Sequence, residues 1–205
     1  ALINVQHIIH LAGANISEKR WTKKRKKEIL ESRVQSTQLL FDEVHKHQIK
    51  LKSFISASAV GYYGTANKEI IFDEKSPNGN DFLALVCKLW EQEANLFSTL
   101  HNTRVVKLRF GVVLDSADGA LAKIMKPISM GVGAVLGSGK QYIPWIHQED
   151  LCNLLLFALK NNELDGVYNA VAPEHITNEE LTNLIAKKLH KTIWLPNAPS
   201  FILKI

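Results

Sequence analysis

Three apolar runs of strand length, each passing directly into small residues and separated from the next by a helical stretch, constrain this chain more than any other feature. "VQHIIHLA" (5–12) opens into "GAN", "SFISAS" (53–58) opens into "AVGYYG", and "TRVVKLRFGVVL" (103–114) carries a glycine near its end. Between the first two runs, Leu30, Val34, Thr37, Phe41 and Val44 recur at steps of four and three, which is one face of a helix. A polar loop, "DEKSPNGND", then precedes a helix expected over 81–100, with Leu85, Leu89 and Leu96 on its apolar side. Strands alternating with helices in this way predict a parallel sheet joined by right-handed crossovers.

The last third has a different texture. A short amphipathic helix near 120–130 leads into the glycine-rich stretch "GVGAVLGSGKQYIPWIHQEDL", in which "WIHQEDL" holds a fourth extended segment, followed by a helix over 150–160. A strand, "GVYNAV", and a last helix follow, the latter announced by Thr177 and Glu180 in capping-box spacing before "LTNLIAKKL".

Composition narrows the classes. With 205 residues, 46% hydrophobic and 22% charged, the chain has enough apolar residues for a real core and is not a disordered polymer. Cys87 and Cys152 lie far apart with no Cys/His cluster at ligand spacing, so no metal site is expected, and a reducing cytoplasm fits. No apolar run approaches the roughly 18 residues that cross a bilayer, and the start lacks the zones of a signal peptide. The net charge of +5 is local, since seven of the nine residues from Lys19 to Lys27 are basic. Such a run reads as the solvated start of a helix, with Trp21 a packed anchor, ahead of a nucleic-acid patch.

Open parallel sheets bind ligands outside the carboxyl ends of their strands, and small residues there let a ligand approach the backbone. "HLAGAN", "SASAVGYYG" and "RFGVVL" occupy those places. "AVLGSGKQ" is not a phosphate-binding P-loop: Ala134 stands where the first glycine belongs and Gln141 where the hydroxyl belongs.

Taken together, "HLAGANI", "RWTKKRKKEILESRVQSTQLL", "ISASAVGYYG", "RVVKLRFGVVL", "GALAKIMKPISMGVGAVLGSGKQYIPWIHQEDL" and "GVYNAVAPEHITNEEL" resemble the extended short-chain dehydrogenase/reductase superfamily, which includes the nucleotide-sugar epimerases. More narrowly they resemble its epimerase-family proteins, some of which are described as cell-division inhibitors. The resemblance implies an α/β protein: a Rossmann-type doubly wound parallel sheet that binds NADP, with a small substrate lobe. Residues 1–118 would be the C-terminal part of the Rossmann-type domain, and 119–205 mainly the substrate lobe, with elements at about 145–170 returning to the Rossmann core. The family opens with a βαβ unit whose glycine-rich turn holds the pyrophosphate. No such fingerprint occurs in this chain, which begins on Ala1 and enters a strand almost at once, so that unit is expected to be missing.

Residue by residue, the resemblance places Leu11 and Ala12 along the adenine and ribose side, Glu28 and Arg33 near the dinucleotide, and Val113 beside the nicotinamide pocket. Ser58 falls where the family orients a substrate hydroxyl. The family's proton-transferring Tyr and its Lys come as Y-x-x-x-K on the next helix, and no tyrosine here has a Lys four residues on. Depending on the gap placed in the preceding loop, either Cys87 and Glu91 or Ala84 and Lys88 take those two places. The phenols of Tyr62 and Tyr63 are the remaining candidates for the acid, with Lys88 or Arg109 supplying positive charge; the alternative is that they only wall the pocket. Arg109, Gly137, Ser138 and Lys140 are candidate contacts for an anionic substrate, with the glycines forming a flexible rim or a plain hairpin turn. In "WIHQEDL", Asp150 is expected to cap the following helix while His147 faces the substrate as a catalytic acid or ligand anchor.

The expected function is therefore an NADP(H)-binding protein carrying out hydride transfer or epimerisation on a nucleotide-linked or other anionic small molecule, with a homodimer as the candidate assembly. A catalytically silent dinucleotide-binding regulator, for instance in cell division, is the alternative that the missing dyad keeps open.

Overall fold

A computed structural model of the chain describes residues 4–65, 70–100, 102–117 and 119–198; Ala1 lies outside them. The chain divides into two compact units, residues 1–110 with 152–170, and residues 111–151 with 171–205.

The first unit holds β1 (His7–His10), α1 (Lys23–Lys46), β2 (Ser53–Ala59), a 3-10 turn (Val60–Tyr63), α2 (Phe82–Asn95), a second 3-10 turn (Leu96–Thr99) and β3 (Arg104–Phe110). The second unit contributes β4 (Val112–Leu114), α3 (Gly119–Ser129), β5 (Tyr142–Ile143) and β6 (Trp145–His147) before α4 (Gln148–Lys160), most of which belongs to the first unit. β7 (Gly166–Ala170) completes the first unit, and β8 (Ile176–Thr177) and α5 (Asn178–Lys188) the second.

Four strands form one parallel sheet in the order β1-β2-β3-β7. β2 and β3 are buried along almost their whole length, as central parallel strands covered on both faces must be. Phe54 lies flat on Phe97, ring centroids 3.7 Å apart, with Phe41 edge-on to Phe97 at 5.5 Å; Val44, Leu51 and Val105 close this core.

Thr22 starts α1 by accepting from the Arg25 amide at 3.1 Å. Thr37 and Val44 lie on its buried face as expected, but the residue that joins them is Ile29 rather than Leu30, which sits one helical step off the face. The correction on α2 is larger. Leu85 is exposed, and Leu89 and Leu96 are half-buried; the inward stripe is Ala84, Cys87, Glu91 and Ala94, with Val86 and Trp90 beside it. Small side chains let this helix lie close to the sheet, so its bulkier leucines are left at the flank.

"TRVVKLRFGVVL" is two strands rather than one. A side chain on Gly111 would meet the Pro144 carbonyl oxygen at 2.7 Å, and that carbonyl accepts from Val112 N at 2.7 Å. The chain breaks there, β4 pairs with β6 in a separate sheet, and the fourth strand of the main sheet is β7. In the second unit α3 and α5 share an apolar core around Ile128, Leu181 and Ile185, and the predicted capping box on Thr177 and Glu180 is formed. No helix among the described residues is long and apolar enough to cross a membrane.

Candidate active site

Side chains alternate along strands, so Phe54, Ser56 and Ser58 of β2 share a face with Val105, Lys107 and Arg109 of β3, and through Arg109 with Asn169 of β7. α2 lies over that face. The sheet is apolar at Phe54 and becomes polar toward the carboxyl ends of the strands.

Glu91 organises the polar end. Its Oε1 accepts from Ser58 Oγ at 2.7 Å and from Arg109 Nε at 2.8 Å, while Oε2 accepts from Arg109 Nη2 at 2.9 Å. Both charges are removed from water, Glu91 being 7% and Arg109 2% exposed. Such a pair is tolerated because its geometry is bidentate and its remaining donors are satisfied. Arg109 Nη1 donates to Tyr63 Oη at 3.0 Å and to the Glu74 carbonyl at 3.4 Å. Tyr63 in turn donates to Asn169 Oδ1 at 2.6 Å, and Asn169 N donates to Glu74 Oε1 at 2.8 Å. Burial works against the charge of Arg109, but its bonds to Glu91 and Tyr63 and the charge of Glu91 reverse this, so the guanidinium is held above its ordinary pKa and stays cationic. Next to this pair, Lys107 Nζ is paired with Asn95 Oδ1, and burial pulls its pKa below the usual ammonium value.

The register of α2 decides which of the four candidate residues face the sheet. Cys87 and Glu91 face the Ser58 end of β2, whereas Lys88 is exposed. The Cys87 thiol is pushed up to about 11, by burial first and by the Glu91 charge second. It stays protonated at neutral pH and is no nucleophile there.

Of the expected residues of the first unit, the structure brings Ser58, Tyr62, Tyr63 and Arg109 together. Tyr62 lies with its ring 3.4 Å from Arg109 Cζ, and Tyr63 stacks on Phe72 at 5.0 Å. Arg109 has a different setting from the one its sequence position suggested: buried and bonded to Glu91, Tyr63 and Glu74, it presents no free guanidinium to an anionic substrate. The turn bearing both tyrosines is clamped, since Tyr62 O accepts from Gly79 N at 2.9 Å and from Asn78 Nδ2 at 2.8 Å.

At the carboxyl end of β1, Leu11 and Ala12 are exposed and form an apolar ledge. The loop behind them is tied to α1: Ala14 N donates to Ser32 Oγ at 2.9 Å, and Arg33 Nη1 donates to Ala14 O at 3.1 Å and Ile29 O at 3.0 Å. Gly13 permits this, for a side chain there would sit 2.8 Å from Arg33 Cζ. Arg33, expected to meet a phosphate, thus holds the loop and lies over the Trp90 ring at 5.2 Å. Glu28, expected beside the dinucleotide, is exposed and paired with Arg25 at 2.7 Å. In the basic run Arg25 is buried among Asn15 O, Glu18 and Glu28, and Trp21 is anchored by its Nε1–H to Ile16 O at 2.7 Å and by its ring against Phe82. The lysines around them are in water or half-buried.

In the second unit Val113 is half-buried in β4, one register step from the pair Leu114 and His147. α4 begins earlier than expected, at Gln148, so Asp150 lies inside its first turn; the exposed His147 accepts from Glu149 N through Nδ1 at 3.3 Å. Gly137, Ser138 and Lys140 form a turn rather than a loose rim. Gly137 and Gly139 have positive φ, Ser138 Oγ accepts from Lys140 N at 3.3 Å, and Gly139 O accepts from Glu179 N at 3.0 Å, which ties the turn to the start of α5.

From the sequence, Glu91 stands only as an alternative for a dyad place, with its bonds to Ser58 and Arg109 missed, and Asn169 and Glu74 are left out of the site. One signal for Glu91 was present: two cations on the same face of a strand otherwise buried, Lys107 and Arg109, require partners from whatever packs over that face.

Comparison with known proteins places this geometry among relatives. Residues 2–171 match the profile of the NAD dependent epimerase/dehydratase family. A chloroplastic homologue of epimerase family protein SDR39U1 from Arabidopsis thaliana is 40% identical over 199 residues, 96% of this chain and 56% of the relative. Human SDR39U1 is 36% identical over 191 residues, 92% of this chain and 64% of its own length. The chain therefore spans less than two thirds of either relative. The crystal structure of human SDR39U1 isoform 2 with NADPH matches with a TM-score of 0.87 at 33% identity, covering 97% of this chain and 67% of that one. UDP-glucuronic acid 4-epimerase from Bacillus cereus, solved with UDP-glucuronic acid and NAD, matches in fold with a TM-score of 0.80 at 20% identity, over 97% of this chain and 64% of that one.

Proposed function

Because this chain belongs to the NAD dependent epimerase/dehydratase family, we propose that it forms part of an NADP(H)-binding oxidoreductase or epimerase that acts on a nucleotide-linked or other anionic small molecule through a non-standard active site. One observation carries the reading: a hydroxyl (Ser58), two phenols (Tyr62 and Tyr63) and a fixed cation (Arg109) converge at the carboxyl ends of β2 and β3, where open parallel sheets take their ligands. The NADPH held by human SDR39U1 supports the choice of cofactor. The residues present fit such a group in part. The exposed ledge of Leu11 and Ala12 suits a flat ring system, while no glycine-rich pyrophosphate turn lies in this sequence.

When bound, the nicotinamide would donate or accept hydride. Ser58 orients a substrate hydroxyl, a phenol exchanges the proton, and Arg109 supplies the positive charge beside it. Of the second unit the proposal asks only that Val113 contact the cofactor, and that Gly137, Ser138, Lys140 and His147 contact the substrate. A cytoplasmic setting belongs to the same reading and rests on the free thiols of Cys87 and Cys152; the Arabidopsis relative is chloroplastic.

Cys87 and Glu91, which face Ser58 where a proton-transferring Tyr and Lys would be expected, favour a second reading, a dinucleotide-binding regulator without turnover. The test uses the full-length protein. Gentle purification followed by mass and absorbance measurement should find a retained nicotinamide nucleotide, and incubation with NADP+ and UDP-glucose or UDP-glucuronic acid should give slow turnover. Retained nucleotide with no turnover on any alcohol or sugar nucleotide would favour the regulator, and absence of nucleotide binding would defeat both.

A further inference from the structure

We propose that Tyr62, and not Tyr63, is the phenol that exchanges a proton with the substrate, and that the reacting oxygen is that of a neutral alcohol or carbonyl. The proposal rests on the oxidoreductase reading and names which atoms perform it.

The two adjacent phenols are treated differently by the fold. Tyr63 is 8% exposed, its proton is donated to Asn169 Oδ1, and its oxygen already accepts from Arg109. Taking that proton away would break a bond inside the network. Tyr62 is half-buried, and its hydroxyl has no partner among the described residues. Its backbone is pinned by Asn78 and Gly79, and its ring rests 3.4 Å from the Arg109 guanidinium carbon. Negative charge developing on the Tyr62 phenol spreads into the ring and meets a preorganised cation.

Glu91 is the positioning residue. It holds Arg109 under Tyr62, and by taking the Ser58 proton it leaves Ser58 only lone pairs to offer. With its proton committed to Glu91 and only 2% of its surface exposed, Ser58 cannot donate to a substrate oxygen; donation falls to Tyr62. The Arg109 charge is matched by Glu91, so a carboxylate or phosphate would find no free counter-charge in this network. An alcohol or carbonyl needs none.

The step balances. In the reducing direction the Tyr62 O–H bond breaks and its proton goes to the substrate carbonyl oxygen while hydride from the reduced nicotinamide forms the new C–H bond. NADPH is oxidised, the carbonyl becomes an alcohol, and the tyrosinate regains a proton from water. Oxidation is the reverse.

Two measurements on the full-length protein test this. The first is turnover of UDP-glucose with NADP+ and of phenanthrenequinone with NADPH. Tyr62→Phe should lower kcat by ~10²- to 10⁴-fold with NADPH affinity little changed, whereas Tyr63→Phe should lower thermal stability more than kcat. Turnover unaffected by Tyr62→Phe overturns this assignment and leaves the oxidoreductase reading standing; absence of turnover on both probes defeats the two together. The second is nitration by tetranitromethane, mapped by mass spectrometry, with the 53% exposed Tyr142 as internal reference. Tyr62 should be nitrated with Tyr63 spared, and NADP+ should suppress the mark on Tyr62. Nitration of Tyr63 ahead of Tyr62, or no protection by NADP+, overturns the proposal without reference to activity.

Discussion

Ser58, at the end of β2, gives its hydroxyl proton to Glu91 Oε1 at 2.7 Å, and the same carboxylate clasps Arg109 by two parallel bonds. Taking the charge from one member of a buried pair leaves the other uncompensated. Glu91→Gln should therefore cost about 3–5 kcal/mol of stability, read as a lower urea midpoint. The double variant Glu91→Leu with Arg109→Met should recover much of that loss, because it removes both charges from the interior. Equal destabilisation by the single and double variants would show that the pair is not the source.

The Cys87 thiol sets a pH dependence whose sign is fixed. Below pH 9.0 it is protonated in both folded and unfolded chains, so it contributes no pH dependence there. Between 9.0 and about 11 the unfolded thiol ionises while the folded one does not, and stability falls. The loss attributable to this group reaches roughly 3 kcal/mol by the upper end. Denaturation curves of Cys87→Ala and the parent chain should converge over that range, and at neutral pH Cys87 should resist alkylation while the exposed Cys152 reacts.

Gly79 lets the tyrosine turn close. A methyl group there would lie 2.6 Å from Tyr63 O and 2.7 Å from the Gly64 backbone, with no flexible side chain to yield. Gly79→Ala should destabilise by about 1–3 kcal/mol and should raise nitration of Tyr63 by loosening its packing. A variant as stable as the parent would mean that the loop moves freely.

Lys23 and Lys24 stand exposed in the first turn of α1, where the helix dipole is positive and the turn itself holds no acidic side chain. Lys23→Gln with Lys24→Gln should leave the protein folded and raise its stability by about 0.3–1 kcal/mol per site at low salt, with the gain fading as salt is added. A loss of stability, or a steep salt-dependent loss of nucleic-acid affinity in the variant, would show that these charges have a partner.

Much of the fold is legible in the sequence because buried parallel strands and amphipathic helices leave periodic marks. The runs around Ile9, Ile55 and Val106 became strands of one parallel sheet, and Thr177 with Glu180 formed their capping box. Errors arose where packing rather than period decided. Leu85 looks like core by its spacing, but a helix that must lie close to a sheet turns Ala84, Cys87 and Ala94 inward instead. Gly111 looks like one position in a strand, yet the Pro144 carbonyl occupies the space a side chain would take and ends the pairing.

By itself, the sequence determined that this chain alternates strands and helices, that a hydroxyl and two phenols follow its second strand, and that the Tyr-x-x-x-Lys spacing is absent, because each of these is a property of neighbouring residues. Only the tertiary structure decided that Glu91 and not Lys88 faces Ser58, that Arg109 is bound within the protein, and that of two adjacent tyrosines one hydroxyl is engaged while the other has no partner among the described residues. Those facts depend on which face of α2 meets the sheet and on the pairing of residues up to 106 positions apart. Hydrogen bonds and buried charges act over a few ångströms of space, and linear spacing carries no record of which distant side chains the fold brings within that range.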